Sequence, residues 1–452
     1  MREPNILLDA IIDEAGMSHG GLAARVNRLG ERDGLGLLYG HASVRRWIRD
    51  GTIPRGRAPE LICEILSMRL GRAVLLADIG MDGGVAAHGD AGSPLAQVVD
   101  HAVALWRSDA RQAVALRAAA EPVRGPAAIV PVFEWENPPG DADVARRGGC
   151  RVDGAQVRFL RAARTRYERM YRAAGGIPVR PRVVAFLNAH AAPLLKSGYD
   201  GATGRHLHRA VGGLTALAGI CAYDADLQGA AQRYFFHALR MAKASGDWGF
   251  GGYVVALLAN QALYLGSYRQ VIQYAETALR GARQQLTPAL ITDLATLQAK
   301  AYARMGDRPG CHTSMRRSEQ MAARIRPDEE PPETGYVQPG LVEVQHADAL
   351  ARLGDLTAAR SYAERSVAAA DHSHVRGQVH RLATLATILA GQGDADAAAN
   401  IAGQMLDKAT GMESRRIQDR ITAVRDAVTA ASDGAAARQL SERVDDILGV
   451  PM

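Results

Sequence analysis

The stretch LGSYRQVIQYAETAL at 265–279, with its counterpart LGDLTAARSYAERSV at 353–367, decides the fold. Two, five, eight, nine and thirteen residues after Gly266 stand Tyr268, Val271, Tyr274, Ala275 and Leu279, and after Gly354 stand Leu356, Ala359, Tyr362, Ala363 and Val367. The same offsets from Gly393 give Ala395, Ala398, Ile401, Ala402 and Leu406. Such offsets draw one stripe on an α-helix, with small residues where a neighbouring helix must approach closely. Taking Ala225, Gly266, Gly306, Gly354 and Gly393 as starts gives five units spaced 41, 40, 48 and 39 residues apart, each predicted as helix, glycine turn, helix. The third unit departs from the pattern with Arg308, Cys311, Ser314, Met315 and Glu319. The long spacing after it holds PDEEPPETG at 327–335, which reads as a surface loop inserted between repeats.

Helix pairs at this spacing cannot bury their apolar faces alone and must stack into a solenoid with a concave groove. Residues 413–448 suit a capping helix pair. The phrasing of the two quoted stretches resembles tetratricopeptide repeats, although the standard period of ~34 residues is exceeded in every unit. The predicted fold class is therefore all-α: a small N-terminal helix-turn-helix domain joined to an α-solenoid of tetratricopeptide-like helix pairs. Residues 1–79 read as the compact DNA-binding domain and 80–94, GMDGGVAAHGDAGSP, as a flexible linker. Residues 95–152 read as a helical connector and 153–452 as the repeat domain. Within the connector, 122–139 carries five prolines, and AAIVPVFEW at 127–135 has an extended rather than helical character.

The N-terminal domain carries the functional signal. In SHGGLAARVNR at 18–28, Ser18 offers a hydroxyl cap to a helix whose buried stripe is Leu22, Ala23 and Val26. In HASVRRWIRD at 41–50, Val44, Trp47 and Ile48 form the buried stripe and Arg45, Arg46 and Arg49 share the opposite face. From 45 to 57 there are five arginines against one acid, Asp50, whereas over 1–80 eleven basic residues nearly balance ten acidic ones. Cationic charge is concentrated where a groove would be contacted. An arginine-rich amphipathic helix taken alone is usually a solvated surface; the preceding helix, the stop at Gly51 and Pro54 and the N-terminal position favour a DNA reader. Guanidinium grips guanine O6 and N7 bidentately or binds phosphate. The candidates for base readout are Ser43, Arg45, Arg46 and Arg49, and those for phosphate are Ser18, His19, Arg55 and Arg57.

Residues 1–81 resemble the helix-turn-helix of the Cro and phage-repressor (XRE) family. Joined to 207–265, with AYDADLQGAAQRYFFHALRMAKASGD, the chain resembles the tetratricopeptide-containing transcriptional regulators of actinobacteria, some of which are linked to sporulation and antibiotic production. The resemblance implies a sequence-specific regulator that binds double-stranded DNA as a homodimer. One departure is that twelve residues, 29–40, separate Arg28 from His41, where ordinary units use ~3 to 4. Either the first helix runs on toward Arg32 or an inserted loop touches the backbone. The repeats are expected to supply dimer contacts, or to hold a peptide, a small-molecule effector or a protein partner. Candidate groove residues are Arg233, Tyr234, His237, Trp248, Tyr253, Asn260, Gln261 and Tyr264, the competing reading being interhelix packing. The rival function is an interaction scaffold whose helix-turn-helix does not read DNA.

Other chemistries find little support. Cys63, Cys150, Cys221 and Cys311 lie far apart and read as small buried hydrophobes of a reducing cytosol. The pairs His206/His208 and His372/His374 lack companion ligands, and GDWGFGG at 246–252 has no preceding strand and reads as a repeat turn. No nucleophile, base and orienting acid can be assembled, so no catalytic residues, metal or cofactor are expected. No run approaches the ~18 apolar residues of a membrane span, and the start of the chain lacks a signal peptide's pattern. Cytoplasmic residence, with the nucleoid as the place of work, is the expectation. The net balance, Lys plus Arg 54 against Asp plus Glu 48, permits a polyanionic partner without demanding one.

Overall fold

The computed structural model describes residues 4–70, 74, 76, 78–81, 95–111, 121–137, 144–281, 285–370 and 375–449, and every regular element among them is helical. The chain is all-α, with a small N-terminal helical domain and a helical repeat stack. It divides into two compact units, 1–88 with 117–119 and 89–116 with 120–452.

The first unit holds α1 (Ile6–Glu14), α2 (His19–Arg32), α3 (His41–Arg49) and α4 (Ala58–Leu70). Leu8 and Ile12, Leu22 and Val26, Val44, Trp47 and Ile48, and Leu61, Ile62 and Leu66 bring one apolar stripe from each helix into a shared core. Asn5 pins the two ends together. Its carboxamide oxygen caps α1 by accepting from the Leu8 amide at 3.0 Å, and its nitrogen donates to the Ile79 carbonyl at 2.8 Å. Ile79 and Met81 are buried, so this core reaches slightly past residue 79. Of the linker read at 80–94, residues 82–94 lie outside the described residues.

In the second unit α5 (Leu95–Arg111) and α6 (Pro126–Glu136) precede a run of helix pairs. These are α7 (Gly154–Ala174) with α8 (Gly176–Phe186), which a π-turn at Leu187–Ala191 and the short α9 (Ala192–Lys196) continue. Then come α10 (Gly201–Asp224) with α11 (Gln228–Ser245), α12 (Trp248–Tyr264) with α13 (Tyr268–Gly281), and α14 (Pro288–Arg304) with α15 (Arg308–Ala322). The last are α16 (Leu341–Arg352) with α17 (Leu356–Ala368), α18 (Val375–Gly391) with α19 (Ala395–Ala409), and α20 (Arg415–Ala431) with α21 (Ala435–Leu448). Gly266, Gly306, Gly354 and Gly393 all have positive φ, between 74° and 85°, the left-handed conformation that ends one helix of the pair. After three of them an aspartate caps the next helix: Asp307, Asp355 and Asp394 accept from the amides of Gly310, Ala358 and Ala397.

Four expectations need correction. The first repeat starts at Asp226, not Ala225: Asp226 takes φ 62°, aspartate being among the few non-glycine residues that tolerate it. Counted from there, Ala231, Tyr234, Phe235 and Leu239 fill the buried stripe. Second, the proline-rich segment is not extended. Pro126 sits in the first turn of α6, where its missing N–H costs nothing, and Ala128, Val132 and Trp135 at i, i+4 and i+7 bury a stripe against α11 and α13 that outweighs the defect at Pro131. Third, 327–335 is not merely a surface loop, because Glu333 and Thr334 in its second 3-10 turn are 6% and 2% exposed. Fourth, Cys150 is exposed, while Cys63, Cys221 and Cys311 are buried as read.

The stack returns on itself. Asp224, fully buried at the end of α10, accepts from the Gly176 amide at 2.7 Å and the Ser414 hydroxyl at 2.7 Å and pairs with Arg376 of α18. Backbone bonds from Glu413 N to Ala174 O at 2.9 Å and from Ile177 N to Glu413 O at 3.4 Å complete the closure. At the ends of α10 and α12, the guanidinium of Arg416 lies 3.3 Å from the ring centroid of Tyr264, whose hydroxyl reaches Asp419 at 3.3 Å. The start of α20 thereby meets the ends of α10 and α12.

A buried imidazole in this unit is expected to contribute acid sensitivity. His346 of α16, fully buried, meets the Ser318 hydroxyl at 2.8 Å, and burial pulls its pKa well below the ordinary imidazole value. An imidazole in the unfolded chain titrates near ~6.5, so the unfolded state takes up the proton first and stability falls as pH drops below that value. Asp293, raised by burial to about 6, acts in the opposite sense, which makes the difference between proteins the informative quantity. His346→Gln is expected to flatten the acid limb of the melting temperature between about pH 6.5 and 4.5, measured against the wild-type curve. Parallel curves would refute this role.

Candidate functional site

The sequence stripe on α3 places Val44, Trp47 and Ile48 inward and leaves Arg45, Arg46 and Arg49 exposed. Among the described residues none of the three has a carboxylate within ion-pair distance, so each guanidinium keeps its five donors for a partner. Tyr39 packs edge-on against Trp47 at 5.0 Å between centroids and fixes the helix from its N-terminal side. Ser43 caps α3, its hydroxyl accepting from the Gly40 amide at 3.3 Å, and retains its own proton to donate. Ser18 does the same for α2, accepting from Gly21 at 3.1 Å. His19 lies 3.7 Å from Asp9, with its ring 5.4 Å from that of His41, so the starts of α2 and α3 are adjacent. Arg55 is exposed. Arg57 is ion-paired with Asp33, an engagement that ties the segment before α4 to the connection between α2 and α3.

That connection resolves the two readings of 29–40 in favour of the longer helix, since α2 runs to Arg32 and eight residues, 33–40, remain. Asn27 holds them by a reciprocal pair to the Tyr39 backbone, both bonds 2.9 Å. Leu37 lies so close over Gly30 that a Cβ there would stand 2.6 Å from its Cδ1. The chain thus folds back without the tight turn of an ordinary unit. A second basic row was missed from sequence: Arg25, Arg28 and Arg32 of α2 join Arg69 around a cleft of about 330 Å³ against α4. Their i, i+3 and i+7 spacing was the available signal.

The groove candidates do not converge. Tyr234 is fully buried, donating to Asp109 at 2.6 Å, and that carboxylate also pairs with Arg180. Trp248 packs against Trp135 of α6 at 5.6 Å. Gln261 is buried and donates to the Gln228 carbonyl at 2.7 Å. Tyr253 is buried beside Phe250, with Tyr336 of the inserted loop 6.5 Å away. Arg233 and His237 of α11 are engaged in contacts of their own. Tyr264 and Asn260 keep exposure, and Tyr264 is occupied by Arg416. The packing reading of these residues is the one the geometry supports. Of the histidine pairs, His206 is exposed while His208 is buried with Nδ1 on the Gly204 carbonyl at 2.7 Å, and His372 and His374 lie outside the described residues. Among the described residues no group of three His, Cys, Asp or Glu could hold a metal ion, and no helix is long and apolar enough to cross a membrane.

Residues 8–82 are similar to the SP15 N-terminal domain family, a span that falls within the first unit. No curated protein matches the chain.

Proposed function

We propose that the chain is a sequence-specific transcription regulator that reads double-stranded DNA with α3. The observation that carries this reading is the exposed, uncompensated row of Arg45, Arg46 and Arg49 on a short helix whose other face is locked into a core. Arginines in that arrangement suit the donor and acceptor edge of the major groove, where a bidentate contact to guanine discriminates by about 1–3 kcal/mol. Ser18, His19 and Arg55 stand at the flanks and are assigned to phosphates, whereas Arg57 is assigned to holding the 33–40 connection through Asp33. Two copies of the chain would set two such helices in successive grooves, with the tetratricopeptide-like stack supplying dimer or effector contacts. Selection from a pool of randomised duplexes by the full chain tests this: enrichment of a common sequence supports it, and a pool that stays random through repeated rounds rejects DNA reading in favour of a protein scaffold.

A further inference from the structure

Where α7, α10 and the turn into α12 meet, Arg161, Arg164, Thr165, Arg205, His206 and Arg209 line a cavity of about 660 Å³ with Asp247 and Glu333. Four arginines therefore face two carboxylates, and the balance is cationic even with His206 neutral. Arg164 is 7% exposed. Burying a guanidinium so far from water requires anionic company. Glu168 supplies part of it at 2.9 Å; the rest comes from Glu333, 3.7 Å from the Arg164 Nε and 2.8 Å from the Arg209 Nη2. Burial alone would raise the Glu333 carboxyl, and these two guanidiniums override it and hold it below the usual range.

Glu333 reaches this position from far away in sequence, on the loop between α15 and α16. The loop is anchored by Glu330, which accepts from the Ala289 amide at 3.0 Å, and by Tyr336, which donates to Asp293 at 2.7 Å. The fit is incomplete, because the buried Nε of Arg164 and the buried Oε2 of Glu333 both lack hydrogen-bond partners. Arg161 and Arg205 at the rim are exposed and have no ion pair among the described residues. A carboxylate brings two oxygens and one charge to a place built for more.

We propose that this cavity binds a phosphate-bearing small molecule of nucleotide size, and that Glu333 holds the phosphate position until the ligand displaces it. A phosphate offers three acceptor oxygens and a second charge, enough to satisfy Arg164 Nε, Arg209 and the rim arginines together, and bidentate guanidinium contacts favour it. The volume is that of a small-molecule site. Displacing Glu333 would free the 327–340 loop from α7 and α10, which gives the repeat stack a route for reporting occupancy. This inference is independent of the DNA reading and is tested by binding alone.

The probes are pyrophosphate and ADP, titrated by calorimetry and thermal melting into the full chain at fixed ionic strength. The expected result is saturable binding that Arg205→Gln weakens by about tenfold or more, the loss of one charge-assisted contact. Glu333→Gln is expected to do the reverse: a lower melting temperature without probe, about tenfold or more tighter binding, and a larger rise in melting temperature with probe than wild type shows. A merely structural Glu333 would lower the melting temperature without any gain in affinity. Binding unchanged by both substitutions, binding abolished instead by Arg45→Ala with Arg46→Ala, or no saturation of either variant or wild type by about 1 mM probe overturns the assignment.

Discussion

Replacing Arg45 and Arg46 together by alanine is expected to weaken binding to the selected duplex by about thirtyfold or more, since on the proposed reading two groove contacts worth about 1–3 kcal/mol each are lost. The fold should be untouched. Both side chains are exposed, and the residues that hold α3, Val44, Trp47 and Ile48, remain in place. Alanine also suits a helix interior, so circular dichroism and melting temperature are expected to match wild type. Arg55→Ala provides the contrast: a phosphate contact should reduce affinity for all duplexes alike and lower the salt slope by about one, without altering sequence preference. A double variant that binds the selected duplex as wild type does would remove α3 as the reading helix.

Asp224→Ala is expected to be the most damaging single change in the repeat stack, costing about 3–5 kcal/mol. The carboxylate is fully buried and satisfies Arg376, the Ser414 hydroxyl and the Gly176 amide, which belong to three distant segments. Its removal leaves the largely buried guanidinium of Arg376 without a carboxylate, held among the described residues only by the Ser414 hydroxyl at 3.2 Å and the Tyr171 ring, 5.2 Å from its centroid. The melting temperature is expected to fall by on the order of 10 °C. Repeat stacks depend on nearest-neighbour interfaces, so opening this contact should loosen α18 to α21 first. Hydrogen exchange should accordingly quicken in 375–448 before it does in 228–304. A uniform change across the stack, or a loss of less than about 1 kcal/mol, would show that Asp224 does not close it.

What could be read from sequence and what could not follow from the range of the interactions involved. Gly266, Gly354 and Gly393 announce their turns because only glycine takes that conformation freely, and the stripe from Val271 to Leu279 repeats at helical spacing. The first unit was misplaced by one residue because Asp226 performs the same turn without being glycine. The helix at Pro126–Glu136 and the burial of Glu333 were hidden for a different reason. Prolines and acids signal exposed, irregular chain locally, and only partners more than a hundred residues away reverse that: Tyr274, donating to the Ala128 carbonyl at 2.7 Å, and Arg164 and Arg209 around Glu333. The α3 arginines were legible because an exposed face is the complement of a periodic core stripe. The aromatic residues of α11 and α12 were not separable into groove and core, since both roles use the same spacing, and α5 and α6 bury several of them.

The most direct test of the central claim is fluorescence anisotropy of the full chain with the duplex enriched from a random pool and with a scrambled duplex of equal length, over a range of salt. Binding to the selected duplex at least about a thousandfold tighter than to the scrambled one, falling steeply as salt rises, is the predicted result. Equal and weak binding to both duplexes at every salt concentration would contradict it.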